Sequence, residues 1–218
     1  MKIKAIITGA SGMVGEGVLY ECLQNSHVEE VLVVGRRTCG HTHPKLKEII
    51  QSDMYNLSSI EDQLDGYDAC FFCLGMSSVG VKEAEFKKVT YDLTMHFGKT
   101  LSRLNPEMTF CYISGSGTNA NGKLMWQKVK GKTENDLMNL PFRQVYNFRP
   151  GVIQPIKGLK NTLSLYKWMG WLLPIIKTIS PGSVVTLQQI GDAMINVTMK
   201  GYEKRILEVK DILIASKK

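Results

Sequence analysis

Short apolar runs and amphipathic stretches alternate from the first residues of the chain onward. Ile3–Thr8 is a β-branched run closed by glycines, and Val14, Val18, Leu19, Cys22 and Leu23 then recur at helical spacing. Val31-Leu32-Val33-Val34 is continuous rather than alternating, the pattern of a strand covered on both faces. Cys70-Phe71-Phe72-Cys73-Leu74 and Phe110-Cys111-Tyr112-Ile113 repeat that pattern, each closed by a Gly or a Ser. Between them Phe86, Val89, Leu93, Phe97, Leu101 and Leu104 step by three and four, which predicts a helix. Val145–Phe148 predicts a further strand, ended by the turn Arg149-Pro150-Gly151. Helical spacing resumes from Ser183 to Met199 through Leu187, Ile190, Met194 and Val197.

Alternation of this kind builds right-handed βαβ units, so the expected fold is α/β, a doubly wound parallel sheet with helices on both faces. The 218 residues suit a single domain spanning 1–218. Residues 157–183 are apolar and punctuated by Gly and Pro; they interrupt the rhythm and are expected to cover one end of the sheet. Within them, Leu163 to Ile179 reads as a substrate lid or core helix, and in second place as a membrane-surface helix flanked by Lys167 and Lys177. Its longest uncharged stretch, Trp168–Ile176, is well short of the ~20 residues a spanning helix needs.

Composition narrows the function classes. A chain 44% hydrophobic and 22% charged is neither disordered nor a disulfide scaffold. Five cysteines, an odd number, with a strand-like start after Met1 suit a reducing compartment, and the cytoplasm is the expected location. Cys70 and Cys73 have redox-motif spacing, but on a strand they face opposite sides and cannot readily meet. His41-Thr42-His43 lacks an obvious carboxylate or thiol co-ligand, so no metal is expected. The net charge of +7 fits nucleic acid, a membrane surface or an anionic ligand. Its densest basic run, Lys123, Lys128, Lys130 and Lys132, comes without an aromatic RNA motif or zinc-finger spacing, which favours a phosphate-bearing small molecule over nucleic acid.

Thr8-Gly9-Ala10-Ser11-Gly12-Met13-Val14-Gly15 supplies the place for such a molecule, between the first strand and the first helix. Gly9 serves the tight turn, Gly12 the approach of backbone to phosphate, and Gly15 the packing of helix on sheet. Free N–H groups and the helix dipole then attract a dinucleotide pyrophosphate. After the second strand, where NAD sites usually carry an acid, the chain has Gly35-Arg36-Arg37. Two guanidiniums match a 2′-phosphate, so NADP(H) is the expected cofactor; the alternative is a solvated surface pair. Asp53, after the run Glu48–Ser52, either accepts from the adenine amino group or caps a loop.

Together, Gly9-Ala10-Ser11-Gly12, Gly35-Arg36-Arg37, Cys73-Leu74-Gly75, Val129-Lys130-Gly131 and Phe148-Arg149-Pro150-Gly151-Val152 resemble the atypical short-chain dehydrogenase/reductases, in particular the Tat-interacting-protein oxidoreductase branch. The resemblance runs from the first strand to about Leu213 and implies a Rossmann-like domain binding NADP(H). It places Ser11, Gly12, Met13 and Val14 on the pyrophosphate and Arg36 and Arg37 on the 2′-phosphate. Leu74 and Gly75 border the adenine-ribose side, Lys130 holds the nicotinamide ribose, and Pro150 to Val152 line the nicotinamide.

The resemblance also implies a Tyr four residues before the Lys as proton donor and a Ser after the fifth strand to orient a carbonyl. Here Trp126 stands at the Tyr position, and an indole cannot give up a proton near neutral pH. Ser114 and Ser116 are both candidates for the serine, around Gly115 where many relatives carry a second Ser; the alternative is that they cap the strand end. The proton would come from Ser114, Ser116, a water held by Lys130, or a displaced tyrosine such as Tyr91. Two functions follow: an oxidoreductase of a small carbonyl-type substrate with a non-standard proton donor, or an NADP-dependent regulatory or scaffold protein that does not turn over.

Overall fold

The continuous apolar runs become the interior of a seven-stranded parallel sheet in a computed structural model, which describes residues 2–156, 158–161 and 181–217. In chain order the first half comprises β1 (Ile3–Thr8), α1 (Met13–Gln24), β2 (Val28–Gly35), β3 (Leu46–Ile50), β4 (Ala69–Phe72), α2 (Glu83–Lys87) and α3 (Leu93–Leu104). The second half comprises β5 (Thr109–Ile113), α4 (Met125–Met138), β6 (Gln144–Arg149), β7 (Val152–Gln154), β8 (Val184–Thr186), α5 (Leu187–Lys200), β9 (Ile206–Glu208) and α6 (Val209–Ala215). The sheet order is β3-β2-β1-β4-β5-β6-β9, and β7 pairs with β8 in a separate parallel ribbon.

Register explains why these runs need no polar alternation. Val33, Ile7, Phe71, Cys111 and Tyr146 are successive cross-strand partners and share one face. Leu32, Ile6, Cys70, Phe110 and Val145 make the adjacent row on the other face. The first row packs under α1, α5 and α6, the second under α3 and α4. Each face therefore carries its own core, and burying one large apolar side chain there stabilises by ~1.5–3 kcal/mol. Cys70 and Cys73 join opposite cores, as their spacing requires.

Three elements differ from the sequence reading. The helix expected from Phe86 to Leu104 is broken by a π turn at Lys88–Asp92. There the Thr94 hydroxyl donates to the Thr90 carbonyl at 2.7 Å, and the Thr133 hydroxyl approaches it at 3.5 Å, so side chains occupy a backbone acceptor. The stretch from Ser183 begins as β8, and its helix starts only at Leu187, where Thr186 and Gln189 form a reciprocal capping box. Neither β9 nor α6 was foreseen, because a three-residue strand has too few positions to show a period.

Most of the expected lid, including Leu163 to Ile179, lies outside the described residues. Residues 158–161 dock on α1, where the fully buried Glu16 carboxylate accepts from the amides of Lys160 (2.8 Å) and Asn161 (2.7 Å). The ring of His41 lies 3.3 Å from the same carboxylate, which gives that loop histidine a partner. Among the described residues no helix is long and apolar enough to cross a membrane.

Candidate functional site

The glycine turn sits at the carboxyl end of β1, where the strand order reverses between β1 and β4 and an open crevice forms. Gly9 has φ +72°, a left-handed conformation, and a Cβ there would lie 2.7 Å from the backbone of Cys73 and Leu74. A Cβ on Gly15 would stand 2.2 Å from the Gly9 carbonyl oxygen, so what excludes a side chain is the turn itself rather than the sheet. Gly12 caps α1 in extended conformation and offers no side-chain acceptor. By helix geometry the amides of Met13, Val14 and Gly15 also lack acceptors inside α1, which leaves a partly positive helix end at the crevice.

In front of this end lies a cavity of about 390 Å³, whose lining includes Gly9, Ser11, Gly12, Arg36, Arg37, Leu74 and Gly75. Arg36 and Arg37 are exposed and form no ion pair among the described residues. Glu85 of α2 and Val89 of the π turn complete the wall. Sequence spacing had put Val89 on a core-facing helix and had not singled out Glu85; a π turn leaves no mark in hydrophobic periodicity. A second cavity of about 250 Å³ shares Arg36, Leu74 and Val89 with the first and adds Asp53, Met54 and Tyr55. One oxygen of Asp53 accepts from the Tyr55 amide at 2.9 Å, so the residue both caps a turn and lines the cavity.

The remaining candidates gather at the ends of β5 and β6. Ser114 and Ser116 donate their amides to the carbonyls of Phe148 (2.8 Å) and Pro150 (3.0 Å), which draws the loop after β5 against the turn between β6 and β7. Pro150 is buried and Val152 half-buried there. The Lys130 ammonium, reaching from α4, donates to the Ser114 carbonyl at 2.8 Å. Burial lowers its pKa to about 8, against an upward pull from Glu134. A Cβ on Gly115 would stand 3.7 Å from this nitrogen, and one on Gly117 would stand 3.5 Å from the Trp126 indole.

Hydrogen-bond direction decides what the hydroxyls can do. The Thr118 hydroxyl donates to the Gly115 carbonyl at 2.8 Å, so in its 3.0 Å contact with Ser114 the serine must be the donor. The single proton of buried Ser114 is thereby committed. Tyr91 is not a displaced donor at this site. Its hydroxyl gives a 2.6 Å hydrogen bond to Asp136, six residues beyond Lys130 and thus ~9 Å further along α4. Lys87 and Lys132 flank its ring at 5.2 and 4.8 Å. Arg149, from the Phe-Arg-Pro-Gly segment, grips both oxygens of buried Glu134 and reaches Glu208, binding β6 to α4 and β9. Among the described residues no cluster of His, Cys, Asp or Glu is arranged to hold a metal.

With this geometry in place, relatives can be compared. The model of the NAD dependent epimerase/dehydratase family matches residues 5–142, more than half of the chain. Protein FMP52, mitochondrial, of Candida albicans is 26% identical over 224 residues, spanning 97% of this chain and 93% of that protein. Protein HTATIP2 of Rattus norvegicus is 27% identical over 149 residues, spanning 67% of this chain and 61% of that one. Among solved structures, UDP-N-acetylglucosamine 4-epimerase from Methanobrevibacter ruminantium M1, in complex with UDP-N-acetylmuramic acid, superposes with a TM-score of 0.70 at 15% identity. That match covers 95% of this chain and 76% of the other. The Bordetella bronchiseptica enzyme WbmF in complex with NAD+ gives 0.68 at 13% identity, over 98% and 77% of the two chains.

These comparisons overturn one expectation. FMP52 relatives are named as mitochondrial proteins, against the cytoplasmic location inferred from free thiols. Free thiols require only a reducing environment, and more than one compartment provides that. The resemblance to short-chain dehydrogenase/reductases is upheld by sequence and by fold alike: the chain belongs to the NAD dependent epimerase/dehydratase family.

Proposed function

We propose that this protein binds NADP(H) along the two connected cavities and acts as an oxidoreductase on a small carbonyl-type substrate. The observation that carries the reading is the pair of guanidiniums, Arg36 and Arg37, without an ion-pair partner among the described residues, on the wall of a cleft that begins at a helix end with no side-chain cap. A pyrophosphate suits the amides of Met13, Val14 and Gly15 at the start of α1, which have no acceptor within the helix. A 2′-phosphate suits the two arginines, which would leave plain NAD facing uncompensated positive charge. Asp53 accepts from the adenine amino group with the oxygen that does not cap its turn, and Leu74 and Gly75 border the ribose. Lys130 holds the second ribose, and Pro150 and Val152 line the nicotinamide. The bound dinucleotide supplies hydride; the residues around it bind, orient and exclude water.

Calorimetric titration tests this directly. Wild-type protein should bind NADPH more tightly than NADH. Loss of one charge-assisted hydrogen bond costs ~1.5–3 kcal/mol, so Arg36→Ala should weaken NADPH binding by roughly 10- to 150-fold and leave NADH nearly unchanged. Equal affinity for the two dinucleotides in the wild type would refute the assignment. A second reading, NADP-dependent regulation without turnover, is favoured by Trp126 at the expected proton-donor position. It would be upheld by tight NADPH binding with no oxidation on a panel of aldehydes, ketones and quinones.

A further inference from the structure

We infer that Lys130 is the proton donor of this site: its ammonium protonates the carbonyl oxygen directly, with no tyrosine between them. The inference rests on the oxidoreductase reading above and identifies the group that reading leaves open. Trp126 and the other proton sources that the sequence suggests can each be set aside first. Trp126 carries only an indole N–H, which is not acidic. Ser114 has one hydroxyl proton, and it is given to Thr118. Tyr91 gives its proton to Asp136 on another stretch of α4. Ser116 is exposed and has no basic side chain bonded to its hydroxyl among the described residues.

Lys130 differs from all four. One of its three N–H groups is anchored on the Ser114 carbonyl at 2.8 Å, and the other two meet no acceptor among the described residues. Gly115 puts no side chain beside them; a Cβ there would begin 3.7 Å from the nitrogen. The amine is thus held by main chain through one proton and keeps two others to give.

Its surroundings favour release of the proton. Burial brings the ammonium down to about 8, where proton transfer near neutral pH is far easier than from an ordinary lysine. Glu134, on its own helix, pulls the other way but is clamped by Arg149 of β6. Two further carboxylates at α4 are engaged elsewhere: Asp92 of the π turn with Lys87, and Asp136 with Lys132 and Tyr91, with Lys99 of α3 also acting on Asp136. In the step itself, hydride leaves the reduced nicotinamide C4 and forms a C–H bond at the carbonyl carbon. One N–H bond of Lys130 breaks and an O–H bond forms on the carbonyl oxygen. The carbonyl is reduced to an alcohol, the dinucleotide is oxidised, and the neutral amine regains its proton from water.

The test combines an equilibrium titration with kinetics. In protein labelled with 13C-lysine, the Cε resonance that disappears in Lys130→Arg should titrate near 8, apart from the other lysines. In the wild type, kcat for NADPH-dependent carbonyl reduction should fall about tenfold per pH unit above that value. Lys130→Arg keeps the charge but cannot release a proton near neutral pH, so it should retain NADPH binding by calorimetry and lose ~10²-fold or more in kcat. Gly115→Val, a second variant in case the first folds poorly, should bind NADPH and lose at least ~10-fold in kcat. A resonance titrating above 10, or Lys130→Arg turning over within about threefold of wild type, overturns the inference while leaving the oxidoreductase reading intact. Wild-type protein that fails to bind NADPH, or binds it without turning over any carbonyl in the panel, overturns that reading and takes the inference with it.

Discussion

Replacing Arg149 by Met should cost the fold far more than a surface charge would. The guanidinium is mostly buried and grips both oxygens of Glu134, which is 1% exposed, while its third contact reaches the half-exposed Glu208. Methionine matches much of the stem but leaves the buried Glu134 carboxylate without its ion-pair partner. Stranding a buried ion in this way typically costs ~3–5 kcal/mol, whereas the Glu208 contact adds no more than ~1 kcal/mol because half of it faces water. For a chain of this size 1 kcal/mol moves the melting temperature by ~2–4 °C, so Arg149→Met should melt about 6–20 °C below wild type. The double variant Arg149→Met, Glu134→Gln removes the stranded charge and should recover at least half of that loss. Thermal unfolding followed by circular dichroism measures both. A single variant within 2 °C of wild type, or a double variant no more stable than the single one, would refute the claim that the unpaired carboxylate dominates the cost.

Three further outcomes are expected. Gly9→Ala forces a side chain into a left-handed backbone and against the Cys73 and Leu74 main chain, so it should destabilise by at least ~1–2 kcal/mol in urea unfolding and abolish measurable NADPH binding. Glu21 lies mostly buried, with its carboxyl pKa raised by desolvation first and by Asp192 second. Its ionisation therefore costs stability as pH rises from 4.5 through the raised value, and Glu21→Gln should gain on wild type at pH 7 with the gap closing toward pH 4. Glu16→Ala removes the acceptor for the Lys160 and Asn161 amides, and limited proteolysis should cut near residues 158–161 several-fold faster, with little change elsewhere.

The central sheet was legible because its strands are buried on both faces and read as unbroken apolar runs. The row Leu32, Ile6, Cys70, Phe110, Val145 and its neighbour through Val33 to Tyr146 are such runs laid side by side. The glycine turn was legible as well, since φ +72° at Gly9 and the contact at Gly15 admit no other residue comfortably. What escaped depends on geometry that period and composition do not carry. The π turn that brings Val89 to the cleft, where the Thr94 hydroxyl bonds the Thr90 carbonyl, leaves no mark in hydrophobic period. The fate of the Ser114 proton is settled by Thr118, a residue with no motif of its own. Arg149 was noticed as part of a segment, but its partners Glu134 and Glu208 are 15 and 59 residues away.

The anchor of Lys130 is a carbonyl of the main chain, not a side chain. Where the amine sits is therefore inherited from the end of β5 and the pitch of α4, and any residue at position 114 would present the same oxygen. The side chains at 114 and 126 can change without moving the nitrogen, provided position 115 stays as small as it is. With the proton role proposed for Lys130, this protein could change substrates without rebuilding the position that its donor occupies.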